Sequence, residues 1–136
     1  MHLLKIFLVE DSPVIRDNLI AALEELVPVQ VVGAAEDEAM ALRWLRESGE
    51  PVDLVIVDMF LNGGSGLGVL RAVKAMPTRP HMVVLSNYAG PEIRRECLAL
   101  GAERVFDKST EIEALFQYCA ELAAGDIACG ELPASG

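Results

Sequence analysis

The stretch Leu3–Pro13, LLKIFLVEDSP, decides how the rest of the chain is read. It is apolar from Leu3 to Val9 except for Lys5, and then stops on two adjacent acids, Glu10 and Asp11. A short, nearly continuous apolar run, without the alternation of a half-solvated strand, suits a strand covered on both faces, as in a parallel sheet. Ser12-Pro13 follows as a helix cap and a first-turn proline, and Ile15, Leu19, Leu23 and Leu26 then repeat at helical spacing. Two carboxylates side by side at a strand end repel each other, so something positive belongs there.

Outward from this unit the same strand-then-helix grammar recurs. Val29–Ala35, Val52–Val57, His81–Leu85 and Arg104–Phe106 read as further short strands. Between them, Asp37 caps a helix through Trp44 and Leu45 that closes near Gly49. Leu67, Leu70, Val73 and Met76 form a third helix, stopped by Pro77. Pro91 opens a fourth with Ile93, Cys97 and Leu98, and Gly101 lies just past its end. Thr110 and Glu113 fit a capping box for a fifth, continuing through Ile112, Leu115, Phe116, Cys119 and Leu122. A strand–helix unit repeated five times predicts right-handed crossovers and a doubly wound three-layer α/β domain over residues 1–124. Residues 125–136 are small and turn-rich and read as a short flexible tail.

The length of 136 residues and an apolar content of 52% fit one domain with a real core. The formal net charge of -10, from 21 acids against 11 Lys and Arg, argues against direct nucleic-acid or anionic-membrane binding. Cys97, Cys119 and Cys129 show neither CxxC nor zinc spacing, and the only histidines are His2 and His81; free thiols in a reducing cytoplasm are expected. The N-terminal apolar run is too short to span a membrane and lacks the flanks of a signal peptide.

In an open α/β sheet, ligands gather at the carboxyl ends of the strands. The first strand ends in Glu10 and Asp11, the third in Asp58, the fourth in Ser86 and the fifth in Lys108. Any one of these alone is an ordinary cap, turn or surface charge. Together they place three carboxylates, a hydroxyl and an ammonium on one rim. That set suits a hard divalent cation held by oxygen and a carboxylate able to form an acyl phosphate. Asp58 is the candidate nucleophile because it ends the most central apolar strand. Lys108 is placed to neutralise phosphoryl charge.

Those five positions, with DMFLNGGSGLGVL from Asp58 and ALGAERVFDKS from Ala99, resemble the receiver domain of two-component response regulators over residues 3 to 124. The resemblance implies a flavodoxin-like fold with strand order 2-1-3-4-5 and five helices. It implies Mg²⁺-dependent (or Mn²⁺-dependent) transfer of a phosphoryl group to Asp58 from a histidine kinase or histidine phosphotransfer protein. The metal would be held by Asp11, Glu10, Asp58 and the backbone carbonyl of Phe60, with Lys108 and Ser86 stabilising the phosphoryl group and driving the switch. The chain ends near its fifth helix, so a stand-alone receiver, like the chemotaxis regulator, is expected to read out through a downstream protein effector. A phosphorylation-dependent dimer is also allowed.

Four positions depart from the family's pattern. The aromatic switch position holds Val105, with Phe106 one residue later and so on the opposite face. Ser109 replaces a proline that usually follows the lysine in a cis peptide, so a trans bond is expected. Asn62 replaces another proline, and Asn87 the small residue after the hydroxyl. Phe60 and Tyr88 flank the site and are expected to shield an acyl phosphate from water. Two other classes make different demands on the sequence. An aspartyl-nucleophile phosphohydrolase wants a second acid two residues after the first, where Phe60 stands. A phosphorylation-independent interaction module would not need the complete rim. Gly63, Gly64, Gly66 and Gly68 read as loop flexibility, Trp44 as packing, His81 as structural, and Arg94, Arg95 and Arg104 as solvated charges or a small patch for an acidic partner.

Overall fold

The computed structural model describes residues 3–61, 63–78, 80–87 and 90–125. Five strands alternate with five helices: β1 Leu4–Val9, α1 Pro13–Leu26, β2 Val29–Ala35, α2 Glu38–Glu47, β3 Leu54–Asp58, α3 Gly66–Lys74, β4 His81–Ser86, α4 Pro91–Ala99, β5 Arg104–Asp107 and α5 Ile112–Ala123. The strands form one parallel sheet in the order β2-β1-β3-β4-β5.

The apolar runs are nearly continuous because both faces of the sheet are covered. On one face Ile6, Leu8, Ile56 and Leu85 pack with Leu19 and Leu23 of α1 and with Leu115 and Cys119 of α5. On the other, Phe7, Val55, Val57 and Val84 pack with Ala41 of α2, Leu70 of α3 and Cys97 of α4. Each large side chain fully buried this way contributes about 1.5–3 kcal/mol of apolar transfer. Val105 faces the α2–α4 layer and Phe106 the α1–α5 layer, the alternation expected from the sequence. Phe106 there meets Tyr118 edge-on at 6.1 Å.

Edge strand β2 carries a register shift against Ile6 and Phe7, which sets Gly33 opposite Phe7. A Cβ at Gly33 would lie 2.4 Å from Trp44. Its absence lets Trp44 stack on Phe7 at 4.2 Å, so Trp44 is a packing residue. Ser12 caps α1 and Asp37 caps α2 through their side chains, as the sequence predicts. Gly101, with φ of 105°, ends α4.

The capping box expected at Thr110 and Glu113 does not form. The fifth helix starts at Ile112 with Glu111 at its cap position, and Glu111 makes no cap hydrogen bond because its carboxylate is engaged elsewhere. The third helix ends at Lys74, ahead of Pro77. Cys97 and Cys119 are free and buried, and burial pushes the Cys119 thiol up to about 12. No helix among the described residues is long and apolar enough to cross a membrane. Cys129 and residues 126–136 of the expected tail lie outside the described residues.

Candidate functional site

The strand order reverses between β1 and β3, and the polar rim sits beyond their carboxyl ends, where such folds bind ligands. The ladder carries β1 one residue past its end, since the Glu10 amide donates to the Ala35 carbonyl at 3.0 Å. That fixes Glu10 inward at 1% exposure, where its Oε2 accepts the Ser12 amide at 3.1 Å. Asp11 follows, half-buried at the head of α1. Asp58 ends the fully buried β3 and is itself buried; its Oδ1 accepts the Phe60 amide at 3.2 Å. Glu10, Asp11 and Asp58 each present a carboxylate oxygen within 4.8 Å of the other two.

Lys108 crosses to this cluster from the end of β5. Its Nζ donates to Glu10 Oε1 at 2.7 Å and Asp58 Oδ2 at 2.8 Å, and its amide donates to the Ser86 carbonyl at 2.9 Å. Burial pulls the ammonium down, but its bonds to Asp58 and Glu10 outweigh that and hold it above the ordinary lysine value. For Glu10 the balance is opposite: burial pushes its carboxyl above the usual range, and the Lys108 and Ser12 hydrogen bonds only partly offset it. Glu10 and Asp58 therefore share the Lys108 ammonium, with the Asp11 carboxylate alongside. Ser86 Oγ is fully buried with no hydrogen-bond partner among the described residues, at the end of β4 beside Lys108. An all-oxygen donor set of three clustered carboxylates fits a hard divalent cation. An orphaned buried hydroxyl fits an incoming acceptor oxygen.

The glycine loop after Asp58 is shaped by close approach rather than flexibility, which corrects the sequence reading. A Cβ on Gly66 would lie 2.5 Å from the Asp58 carbonyl, and the Gly66 amide donates to the Met59 carbonyl at 3.1 Å. Gly64 has φ of 88°, a conformation that favours glycine. Glu38, which the sequence reading did not single out, ties this loop to α2. Its Oε1 accepts the Ser65 amide at 2.8 Å and its own amide donates to the Gly63 carbonyl at 3.0 Å. The nearest sequence signal was its place just after the Asp37 cap. Phe60 is 56% exposed, while its backbone bridges Ser65 in the same loop.

Val105 and Phe106 are buried in the two helix–sheet layers and Asn87 is exposed. Tyr88 and Asn62 lie outside the described residues. The Lys108–Ser109 bond is trans, as no cis peptide occurs among the described residues. Arg94 is not a solvated patch residue: it bonds Glu111 and the Val105 carbonyl. His81 is structural, with Nδ1 2.6 Å from Glu103 Oε2.

The family model for the response regulator receiver domain matches residues 6–120. The transcriptional regulatory protein YdfI of Bacillus subtilis is 28% identical over 123 residues, covering 90% of this chain and 56% of its own length. The protein-glutamate methylesterase/protein-glutamine glutaminase 5 of Myxococcus xanthus is 34% identical over 125 residues, covering 89% of this chain and 35% of its own. A two-component response regulator of the LuxR family from an Aurantimonas species superposes with a TM-score of 0.80 at 25% identity, covering 91% of this chain and 87% of that one. The chain spans about a third to just over half of the two curated relatives. By fold, by rim and by sequence, the chain belongs to the response regulator receiver domain family.

Proposed function

We propose that residues 1–124 form a phosphoacceptor receiver of a two-component or phosphorelay pathway in the cytoplasm, with Asp58 taking a phosphoryl group from a phosphohistidine on a histidine kinase or phosphotransfer protein. The observation that carries this is the position of Asp58. It is buried at the end of the central strand, hydrogen-bonded to Lys108 Nζ at 2.8 Å, with Glu10 and Asp11 alongside. In the transfer an Asp58 carboxylate oxygen forms the bond to phosphorus as the nitrogen–phosphorus bond of the donor breaks, and the imidazole leaves with the bonding pair. Lys108 keeps its proton and meets the charge on the transferring oxygens. The Ser86 hydroxyl, at the end of β4, donates to one of them.

Mg²⁺ or Mn²⁺ held by Asp11, Glu10, Asp58 and the Phe60 carbonyl would supply the positive charge that lets a phosphate sit among carboxylates. The two-residue offset from Asp58, where a hydrolase of this chemistry carries its proton donor, holds the apolar Phe60. This supports a lasting adduct over turnover. The methylesterase activity in one relative's name is that protein's own; here the receiver acts as a regulator.

Phosphorylation adds roughly -1.5 to -2 charge. Lys108 and Ser86 are drawn toward it, which biases the surface formed by α4, β5 and α5. A downstream protein effector, or a second phosphorylated copy, reads that surface, and no direct nucleic-acid contact is needed.

Label transfer from autophosphorylated histidine kinases tests the proposal. A stable adduct in the wild type, lost in Asp58→Asn, is expected. Release of free phosphate over many turnovers supports the hydrolase instead. Absence of any label, with an effector bound equally by wild type and Asp58→Asn, supports the phosphorylation-independent module.

A further inference from the structure

The turn that carries Lys108 is assembled without the proline that usually shapes it in this family. Asp107 Oδ1 accepts the Ser109 amide at 2.8 Å and the Ser109 hydroxyl at 2.5 Å. The Asp107 amide donates to Glu111 Oε1 at 2.8 Å, and the Glu111 amide donates back to the Asp107 carbonyl at 2.8 Å. Arg94, on α4, closes this ring from outside. Its Nη2 donates to the same Glu111 Oε1 at 3.0 Å, and its Nη1 to the Val105 carbonyl at 2.7 Å. One guanidinium thus grips β5 just before Lys108 and the start of α5 just after it.

The need for such a grip follows from reach. Lys108 roots at the end of edge strand β5, and its ammonium must pass the end of β4 to meet Asp58 on β3 and Glu10 on β1. A long, rotamer-rich side chain delivers its charge to one place only if its backbone root is fixed.

We propose that Arg94 is a positioning residue for Lys108: by bonding both Val105 and Glu111 it sets the β5–α5 turn from which the Lys108 ammonium reaches Asp58. This rests on the reading of Asp58 as phosphoacceptor. The alternative, an ordinary surface ion pair, is favoured by exposure, since the Arg94 and Glu111 side chains are 38% and 39% exposed. Such pairs add little to stability. Arg94, however, bonds two different elements, one through a backbone carbonyl, and the carboxylate oxygen it meets already holds the Asp107 amide. A planar fork with two separated acceptors is an arginine task that lysine fills poorly. The Asp107 amide, and then the Arg94 guanidinium, hold the Glu111 carboxyl below the usual range, so it stays an acceptor at neutral pH.

Two readouts on the full chain test the proposal with Arg94→Met and Arg94→Lys. The first is amide hydrogen exchange, which needs no phosphorylation. Arg94→Met is expected to speed exchange at Asp107 and Ser109 about tenfold, a 1.4 kcal/mol loss of local protection, with Arg94→Lys between it and the wild type. The second is the rate of adduct formation from acetyl phosphate with Mg²⁺. Arg94→Met is expected to slow it about tenfold, less than the roughly 10²-fold cost of a 1 Å misplacement, and to leave Mg²⁺ affinity unchanged. In a Lys108→Ala background the same change is expected to slow it no further. Wild-type exchange at Asp107 and Ser109 in Arg94→Met overturns the proposal, as does equal slowing with and without Lys108. If the wild type takes no phosphoryl group, the phosphoacceptor reading fails, and exchange alone decides whether Arg94 sets the turn.

Discussion

At the amino ends of the strands, acids close on partners that satisfy them. Asp53 Oδ2 accepts the Lys5 amide at 2.9 Å, while Glu103 takes His81 Nδ1 at 2.6 Å and the Tyr118 hydroxyl at 2.5 Å, with Arg104 over the Tyr118 ring at 5.4 Å. At the carboxyl ends, Glu10, Asp11 and Asp58 crowd within 4.8 Å and Lys108 is shared between two of them. Both rims bury ionisable groups on one sheet. The first spends them on holding β4, β5 and α5 together. The second keeps like charges close, which a stability-only design would avoid. The difference agrees with the proposal that the second rim takes a cation and a phosphoryl group.

The comparison breaks most readily at Lys108. Lys108→Ala leaves Glu10 and Asp58 buried without their ammonium and is expected to cost about 3 kcal/mol in metal-free protein. Urea unfolding checks this, and Mg²⁺ is expected to restore part of the loss. Gly66→Ala forces a Cβ against the Asp58 carbonyl and is expected to cost about 2 kcal/mol, measured the same way, with weaker Mg²⁺ binding as the loop shifts.

The amino rim gives a smaller, pH-dependent effect. Burial pushes the Glu103 carboxyl up, but its bonds to His81 and Tyr118 outweigh this and hold it below the usual range. A depressed carboxyl contributes stability above its unfolded pKa and loses it as pH falls through the folded value. Glu103→Gln is therefore expected to cost about 1 kcal/mol at pH 7, and the gap to the wild type to close in acid. A gap unchanged from pH 7 down through the acid transition contradicts this. The smallest stability change is expected for Phe60→Ala, within about 0.5 kcal/mol because the residue is exposed. Its adduct is expected to decay several-fold faster, followed by loss of label; equal lifetimes refute the shielding role.

Much of this was legible from residue order. Nearly continuous apolar runs at Leu4–Val9 and Leu54–Val57 require cover on both faces, and each strand end names the next residue on the rim. What stayed hidden depends on contacts distant in sequence. Glu38 holds the Ser65 amide from another helix, and nothing local to either residue announces it. The same holds for Arg94: its neighbours suggest a solvated helix face, and only the fold brings it to Val105 and Glu111. The Thr110–Glu113 box matched a local pattern, but the Asp107–Glu111 ring sets where α5 begins. The glycines looked flexible because a missing Cβ reads the same in sequence whether it frees the backbone or makes room.

The central claim is that the carboxyl rim, with three clustered carboxylates, is a cation site. Thermal unfolding of the wild type and Asp58→Asn during Mg²⁺ titration tests it most directly. The account predicts that Asp58→Asn, which removes one acid but keeps an acceptor for Lys108, starts at or above the wild-type Tm and stays flat, while the wild type climbs by a few degrees as Mg²⁺ passes its Kd. A wild-type Tm indifferent to Mg²⁺, together with a lower Tm for Asp58→Asn, would contradict it.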